Sequence, residues 1–312
     1  MTIVIDAHIP FLLEAVQKAW PQVEIYPLTP DEMDAEAVRN ADVLVVRTRT
    51  KVNQTLLAGS RVRLVCTATI GFDHIDTAWC DAHNVRWMSC PGCNAQAVCD
   101  YIEEALQETK AQGTIGIVGV GHVGSLVAKM AERRGMKVLL NDPPKGIGVS
   151  LDFIAQNSDI ITFHVPLDDS TYHMCDERFL SLCKPNALII NAARGGVVDE
   201  QALLRSGHPF ILDTWENEPN IHPEILAKAL LASMHIAGYS VAGKRNASQM
   251  CLNAIAELFN LQKIDISKSR GLDISKQKGD TAPGWISRIS DQLKADPTAF
   301  EALRKAYPLR GV

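Results

Sequence analysis

The stretch Thr114-Ile-Gly-Ile-Val-Gly-Val-Gly-His-Val-Gly124 constrains this chain more than any other, because it fits one local structure: strand, glycine turn, helix. Ile115, Ile117, Val118 and Val120 form the β-branched run of a buried strand, and Val123, Leu126, Val127 and Met130 then recur at helical spacing. In Gly119-x-Gly121-x-x-Gly124 the first glycine allows a tight turn, the second lets backbone approach a pyrophosphate, and the third lets helix pack on strand. The helix start at His122 and Val123 directs N–H groups and a positive dipole end toward phosphates. A second strand, Lys137 to Leu140, leads to Asp142, whose carboxylate suits ribose hydroxyls and repels a 2′-phosphate. The glycines alone also fit an ordinary βα turn. Two strands, a helix and the acid in register favour a dinucleotide site, with NAD expected over NADP.

At 312 residues the chain exceeds the usual single core, so two domains are expected. A net charge of −5 offers no broad basic field, which argues against nucleic acid as a partner. Met1 to Asp6 enters a strand directly, without the basic region and apolar core of a signal peptide, and no apolar run approaches membrane-spanning length. A cytoplasmic protein without membrane contact is therefore the expectation. Cys90-Pro-Gly-Cys93 imitates a redox or metal motif, but no second CxxC or histidine pair accompanies it. The eight cysteines are read as structural or incidental thiols, and no metal is expected.

Before the fingerprint, short strands alternate with helical stretches: Ile3–Ile5, Val23–Tyr26, Asp42–Val46, Val62–Val65 and Val85–Met88. Crossovers of that length imply a parallel sheet. A long helix over Asn94–Gln112, with Asn94 as its N-cap, leads into the fingerprint strand. Later strands are expected at Asp159–Phe163, Ala187–Ile190 and Phe210–Asp213, and a further helix at about 244–261. The expected fold is α/β: two Rossmann-like or flavodoxin-like doubly wound parallel-sheet domains with a short C-terminal extension. Residues 1–93 plus about 244–262 would bind substrate, 94–243 would bind NAD, and 263–312 would form a docked arm or subunit contact.

Polar residues gather where these strands end, which is where doubly wound sheets bind ligands. Arg194 follows a buried strand and precedes Gly195-Gly196; its guanidinium could hold a carboxylate through two parallel hydrogen bonds. Glu218 and His235 follow consecutive strand positions and could converge. A carboxylate beside imidazole fixes its tautomer and favours its protonated form, which suits proton exchange with an alcohol. In the first domain, Arg47, Thr48, Arg49, Thr50 and Lys51 end a strand with three cations and two hydroxyls, and Thr67-Ala-Thr69 ends the next. Arg47 and Lys51 are candidates to bind a phosphate, although a solvated charged loop fits the same residues.

Taken in order, these motifs resemble the D-isomer-specific 2-hydroxyacid dehydrogenases. One subfamily is matched by Val46–Asn53, Thr67–Asp76, Pro91-Gly-Cys-Asn-Ala95, Asn141-Asp-Pro-Pro144, Thr162–Leu167 and His235-Ile-Ala-Gly-Tyr239. The resemblance implies that Arg194, Glu218 and His235 are catalytic and that Thr48, Thr69 and Tyr239 meet substrate. It also implies that Asp142, Asp213 and Gly238 meet NAD, with His164, Pro166, Ala192 and Ala193 completing the cofactor site. The implied reaction oxidises 4-phosphoerythronate at C2 to the 2-oxo acid, on the way to pyridoxal phosphate, in a homodimer. Segments 108–113 and 205–209 and the C-terminal region are shorter than the family's. The alternatives are another D-2-hydroxy acid, such as phosphoglycerate or glycerate, and a nucleotide-sensing interaction protein without turnover.

Overall fold

The computed structural model describes residues 1–267 and 282–311. The chain divides into two compact units: Met1–Asn94 with Ser240–Lys278 and Gly311–Val312, and Ala95–Tyr239 with Gly279–Arg310.

The first unit is built on a parallel sheet of β1 (Thr2–Asp6), β2 (Glu24–Leu28), β3 (Val43–Val46), β4 (Leu64–Thr67) and β5 (Arg86–Met88). Their spatial order is β2-β1-β3-β4-β5. Both faces are covered, so β3 and β4 are buried along their whole length rather than alternating. Ile3, Ile5, Val43, Val45 and Cys66 pack on one face with Leu12 and Val16 of the helix Leu12–Ala19. Ala247, Cys251, Leu252, Ile255 and Ala256 of the helix Val241–Phe259 join the same cluster. Val4, Leu44, Val46 and Val65 pack on the other face with Leu56, Leu57 and Cys80.

The helix expected from about 244 begins at Val241, because the Ser240 hydroxyl caps it by accepting the Gly243 amide at 3.0 Å. Cys90 and Cys93 are buried, and Cys90 Sγ lies 3.8 Å from Cys251 Sγ. Burial pushes the Cys93 thiol up to about 12, so it is a poor nucleophile. All eight cysteines are free thiols.

The second unit carries β6 (Thr114–Val118), β7 (Lys137–Asp142), β8 (Ile147–Gly148), β9 (Ile160–Phe163), β10 (Leu188–Asn191), β11 (Phe210–Leu212) and β12 (Leu231–Ala232). The order is β12-β11-β10-β9-β6-β7-β8, parallel except for the β7–β8 pair. Strand order reverses between β6 and β9, which run side by side with Val118 opposite Phe163. The fingerprint turn leaves β6 at that switch point.

The helix entering β6 spans Ala95–Glu108 and ends short of Gln112, because Lys110 turns left-handed at φ 54°. Asn94 does not cap it: its Oδ1 is buried without a hydrogen-bond partner, while its Cα and Cβ pack close to Gly243.

The C-terminal helices Trp285–Ala295 and Phe300–Ala306 belong to this second core. Trp285, Ile286, Leu293 and Phe300 are buried in it. Glu108 accepts the Ile286 and Ser287 amides at 2.9 Å each, placing a carboxylate at that helix's N-terminus. Residues 268–281 and 312 of the expected extension lie outside the described residues. Among the described residues, no helix is long and apolar enough to cross a membrane.

Candidate active site

Each fingerprint glycine answers a different steric demand. Gly119 has φ +89°, and a Cβ there would come within 2.6 Å of the His164 carbonyl oxygen. A Cβ at Gly124 would overlap the carbonyl oxygen of Gly119, so this glycine lets the helix His122–Arg133 press against the turn. At Gly121 the nearest atom to an added Cβ is Lys145 Nζ at 3.9 Å, leaving the backbone open at the helix N-terminus. That combination fits a pyrophosphate: amides directed outward over a surface with no side chain of its own. Gly121→Ala should therefore melt like the wild type yet lose about ten-fold or more in NAD affinity, whereas Gly124→Ala should lower stability itself. Thermal melts and calorimetric NAD titration test the pair, and parallel losses in both variants would contradict it.

Asp142 closes the fingerprint. Its Oδ2 accepts the Val120 amide at 2.8 Å and lies 3.5 Å from Lys145 Nζ, which also donates to the Val120 carbonyl. His164, after β9, is half-buried, with Nε2 3.1 Å from Thr162 Oγ1. Loss of hydration pushes its imidazole down to about 3, so the ring is neutral. Pro166 beyond it is exposed.

The three residues expected to be catalytic, Arg194, Glu218 and His235, follow β10, β11 and β12. Arg194 lies in a turn organised by Asn191, whose Nδ2 donates to the Arg194 carbonyl at 2.7 Å and whose Oδ1 accepts the Ala193 amide at 3.0 Å. Ala192 occupies the same turn, and Arg194 Nη1 donates to the Ala193 carbonyl at 2.8 Å. A Cβ on Gly195 would overlap the Trp215 carbonyl, so that glycine sets the arginine turn against the loop bearing Glu218.

His235 Nδ1 and Glu218 Oε2 are 2.8 Å apart, and Glu218 Oε1 accepts the Trp215 amide at 2.9 Å. Burial pushes the Glu218 carboxyl up, but the hydrogen bond and charge of His235, joined by the Trp215 amide and the charge of Arg304, outweigh it, and the net shift is downward. The stability this contributes is present above the unfolded carboxylate value and is lost as pH falls through the lower folded one. His235 itself has φ +58°, a left-handed conformation uncommon for a residue with a side chain.

Asp213 holds that conformation. Its Oδ1 accepts from Ser233 Oγ at 2.6 Å and the Ile236 amide at 2.8 Å, its Oδ2 takes the Ala237 amide at 3.0 Å, and its carbonyl takes the His235 amide at 2.7 Å. Gly238 and Tyr239 complete the loop, and Tyr239 Oη accepts from Arg304 Nε at 3.1 Å.

Several residues of this site were not singled out by sequence reasoning. Glu200, buried at 3% exposure, accepts the Glu216 amide at 2.8 Å, and Glu216 is in turn gripped by His173 Nε2. Burial, followed by the charges of Glu216 and Glu218, pushes the Glu200 carboxyl up to about 7. Its folded value lies above an unfolded value of about 4.3, so this group removes stability as pH rises between the two, and the loss persists above pH 7. Glu200→Gln keeps the carbonyl acceptor and removes the titration. It should be more stable than wild type at pH 8 by about 1–3 kcal/mol, with little difference at pH 4.5. Denaturant melts at the two pH values check this, and an equal effect at both would contradict it.

In the first unit, Thr48 and Lys51 are exposed at the end of β3. Thr69 Oγ1 is 2.6 Å from Thr67 Oγ1 and donates to the Gly71 carbonyl at 3.0 Å; His74 Nε2 lies 3.1 Å from Thr67 Oγ1. Arg47, considered for phosphate, is paired with Asp6 through Nε at 2.7 Å and Nη2 at 3.2 Å. Among the described residues, no group of histidine, cysteine and acid side chains could hold a metal ion.

Residues 96–237 match the family model for the NAD binding domain of D-isomer specific 2-hydroxyacid dehydrogenases. The chain is 42% identical to an erythronate-4-phosphate dehydrogenase of Bacteroides fragilis, over 99% of this chain and 97% of that protein. A Bacteroides thetaiotaomicron erythronate-4-phosphate dehydrogenase is 40% identical with the same coverage. Among solved structures, cofactor (NAD+) bound 3-phosphoglycerate dehydrogenase of Entamoeba histolytica has a TM-score of 0.72 at 23% identity, covering 83% of this chain and 95% of that one. This last likeness shows the shared fold. With relatives this similar along nearly their whole length, the chain belongs to the erythronate-4-phosphate dehydrogenases, within the D-isomer-specific 2-hydroxyacid dehydrogenase family.

Proposed function

We propose that the chain oxidises 4-phosphoerythronate at C2 to 2-oxo-3-hydroxy-4-phosphobutanoate with NAD. The observation that carries this reading is the Glu218–His235 pair, held at 2.8 Å within an NAD-binding domain whose full-length relatives bear that activity in their names.

Bound NAD supplies the acceptor for the C2 hydride. The protein's part is proton transfer and orientation. Because His235 directs Nδ1 to Glu218, Nε2 is the nitrogen left to take the C2 hydroxyl proton. The Glu218 carboxylate stabilises the imidazolium that forms and keeps the ring in the tautomer with Nε2 unprotonated beforehand. Arg194 holds the substrate carboxylate through its guanidinium fork and draws electron density from the adjacent carbon as the carbonyl develops. Asp142 receives the adenosine ribose. Thr48, Thr69 and Tyr239 supply hydroxyls to the substrate, and Lys51 is the cation of the β3 end proposed for its phosphate. The domain assignment follows: residues 1–93 with the helix after Ser240 bind substrate, and the fingerprint unit binds NAD.

The test is NADH formation, followed by absorbance, with 4-phosphoerythronate, D-3-phosphoglycerate and D-glycerate side by side. Turnover of the first at the highest kcat/KM is expected. Turnover of another acid without 4-phosphoerythronate would replace the substrate, and absence of turnover with any acid despite NAD binding would favour a sensor. We further propose a cytoplasmic homodimer, for which sedimentation velocity should give a dimer at micromolar concentration; a monomer there would remove that part.

A further inference from the structure

Tyr239 ends the loop that carries His235, and the C-terminal segment grips this loop at two points. Arg310 is 4% exposed and donates to the Ile236 carbonyl at 3.2 Å, the Ala97 carbonyl at 3.1 Å and the Ala237 carbonyl, with its guanidinium 4.7 Å above the Trp285 ring. Arg304 stands one helical turn after Phe300, which is fully buried and anchors the helix Phe300–Ala306. Its Nε donates to Tyr239 Oη at 3.1 Å and its Nη1 pairs with Glu301 at 3.3 Å. The Arg304 side chain is only 25% exposed, and its charge also helps hold the Glu218 carboxyl low.

A guanidinium has five donors and no acceptor. Tyr239 must therefore accept from Arg304, and its own O–H proton is directed elsewhere than the arginine. A phenol that accepts from a cation is also polarised into a stronger donor. Both effects prepare Tyr239 to donate to an anionic oxygen. The Arg304 guanidinium thus stands between the Tyr239 hydroxyl and the Glu301 carboxylate, and the Glu218 carboxylate also feels its charge.

We infer that Arg304 is a positioning residue for the anionic substrate: it orients and polarises the Tyr239 hydroxyl toward a carboxylate or phosphate oxygen. This rests on the reading of Tyr239 as a substrate contact. Arg304 acts through Tyr239, so the two residues form one unit in binding.

Steady-state kinetics at saturating NAD are compared for wild type, Arg304→Gln, Tyr239→Phe and the double variant. Each single change should raise KM for 4-phosphoerythronate about ten- to a hundred-fold with kcat within about three-fold, and the double variant should be no worse than Tyr239→Phe. An unchanged KM in Arg304→Gln, or losses that multiply in the double variant, overturns the inference. Inorganic phosphate and D-erythronate serve as competitive inhibitors that separate the two anion sources. Weaker inhibition of Arg304→Gln by phosphate assigns the phosphoryl group, weaker inhibition by D-erythronate assigns the carboxylate, and no change in either overturns the inference. If Arg304→Gln does not fold, the same cycle is run with Arg304→Lys. If the wild type turns over a different hydroxy acid, the substrate reading has failed, and the four proteins are compared on that acid, where the same non-additivity decides.

Discussion

Replacing His235 should lower kcat by about 10²- to 10⁴-fold while NAD affinity stays within about two-fold of wild type. The separation follows from where the side chain is anchored. His235 emerges after β12 and meets Glu218, whereas the fingerprint turn and Asp142 are held by β6, β7 and β9 through bonds that do not involve it. The choice of substitute matters. Alanine leaves the partly buried Glu218 carboxylate with the Trp215 amide and the more distant charge of Arg304, and removing one partner of a partly desolvated charge pair is destabilising in its own right. Asparagine tolerates the left-handed backbone at φ +58° better than most residues, and its amide can still donate toward Glu218. His235→Asn should therefore melt near wild type and show the same collapse in turnover as His235→Ala. A His235→Asn protein retaining near wild-type kcat would remove His235 from its role as proton acceptor.

Some of this site was legible in the sequence because residue identity and backbone geometry coincide there. Gly119 and Gly124 are glycines because a Cβ would strike backbone, and the β-branched run of β6 is a parallel strand buried from Ile115 to Val118. Glu218 and His235 could be placed at the ends of neighbouring strands, but the 2.8 Å contact depends on the loops after β11 and β12, whose shapes no spacing rule predicts. Arg47 was ambiguous for a physical reason: a cation at a strand end reads alike whether it awaits a phosphate or pairs with Asp6 across 41 residues of sequence. Glu200 and Arg304 were invisible for a related reason. A glutamate in a helical stretch reads as solvated, and its burial is set by the Glu216 loop; Arg304 reaches Tyr239 only because a C-terminal segment docks 65 residues away in sequence. Asn94 carried a correct residue type for a cap, yet tertiary packing near Gly243 took precedence over local propensity.

Asp213 offers the largest expected effect on stability. The resemblance to the family places it at the cofactor, yet its carboxylate already receives Ser233 Oγ and the Ile236 and Ala237 amides, donors that are 0–1% exposed. Asp213→Ala leaves three buried donors without a partner at about 1–3 kcal/mol each, and it frees the His235 backbone from a conformation that itself costs about 1–3 kcal/mol. Against a typical domain stability of about 5–15 kcal/mol, that loss should bring the unit close to unfolding and abolish turnover. Asp213→Asn separates structure from charge. Ser233 and Ile236 both donate to Oδ1, so an amide oriented with its oxygen there keeps two of three bonds, while its NH2 opposes the Ala237 amide. The melting temperature should therefore fall in the order wild type, Asn, Ala, by about 2–4 °C per kcal/mol lost, and kcat should fall in the same order. If Asp213 instead served only to meet NAD, both variants would melt as wild type and differ only in cofactor affinity. Thermal melts without cofactor, paired with NAD titrations, distinguish the two roles.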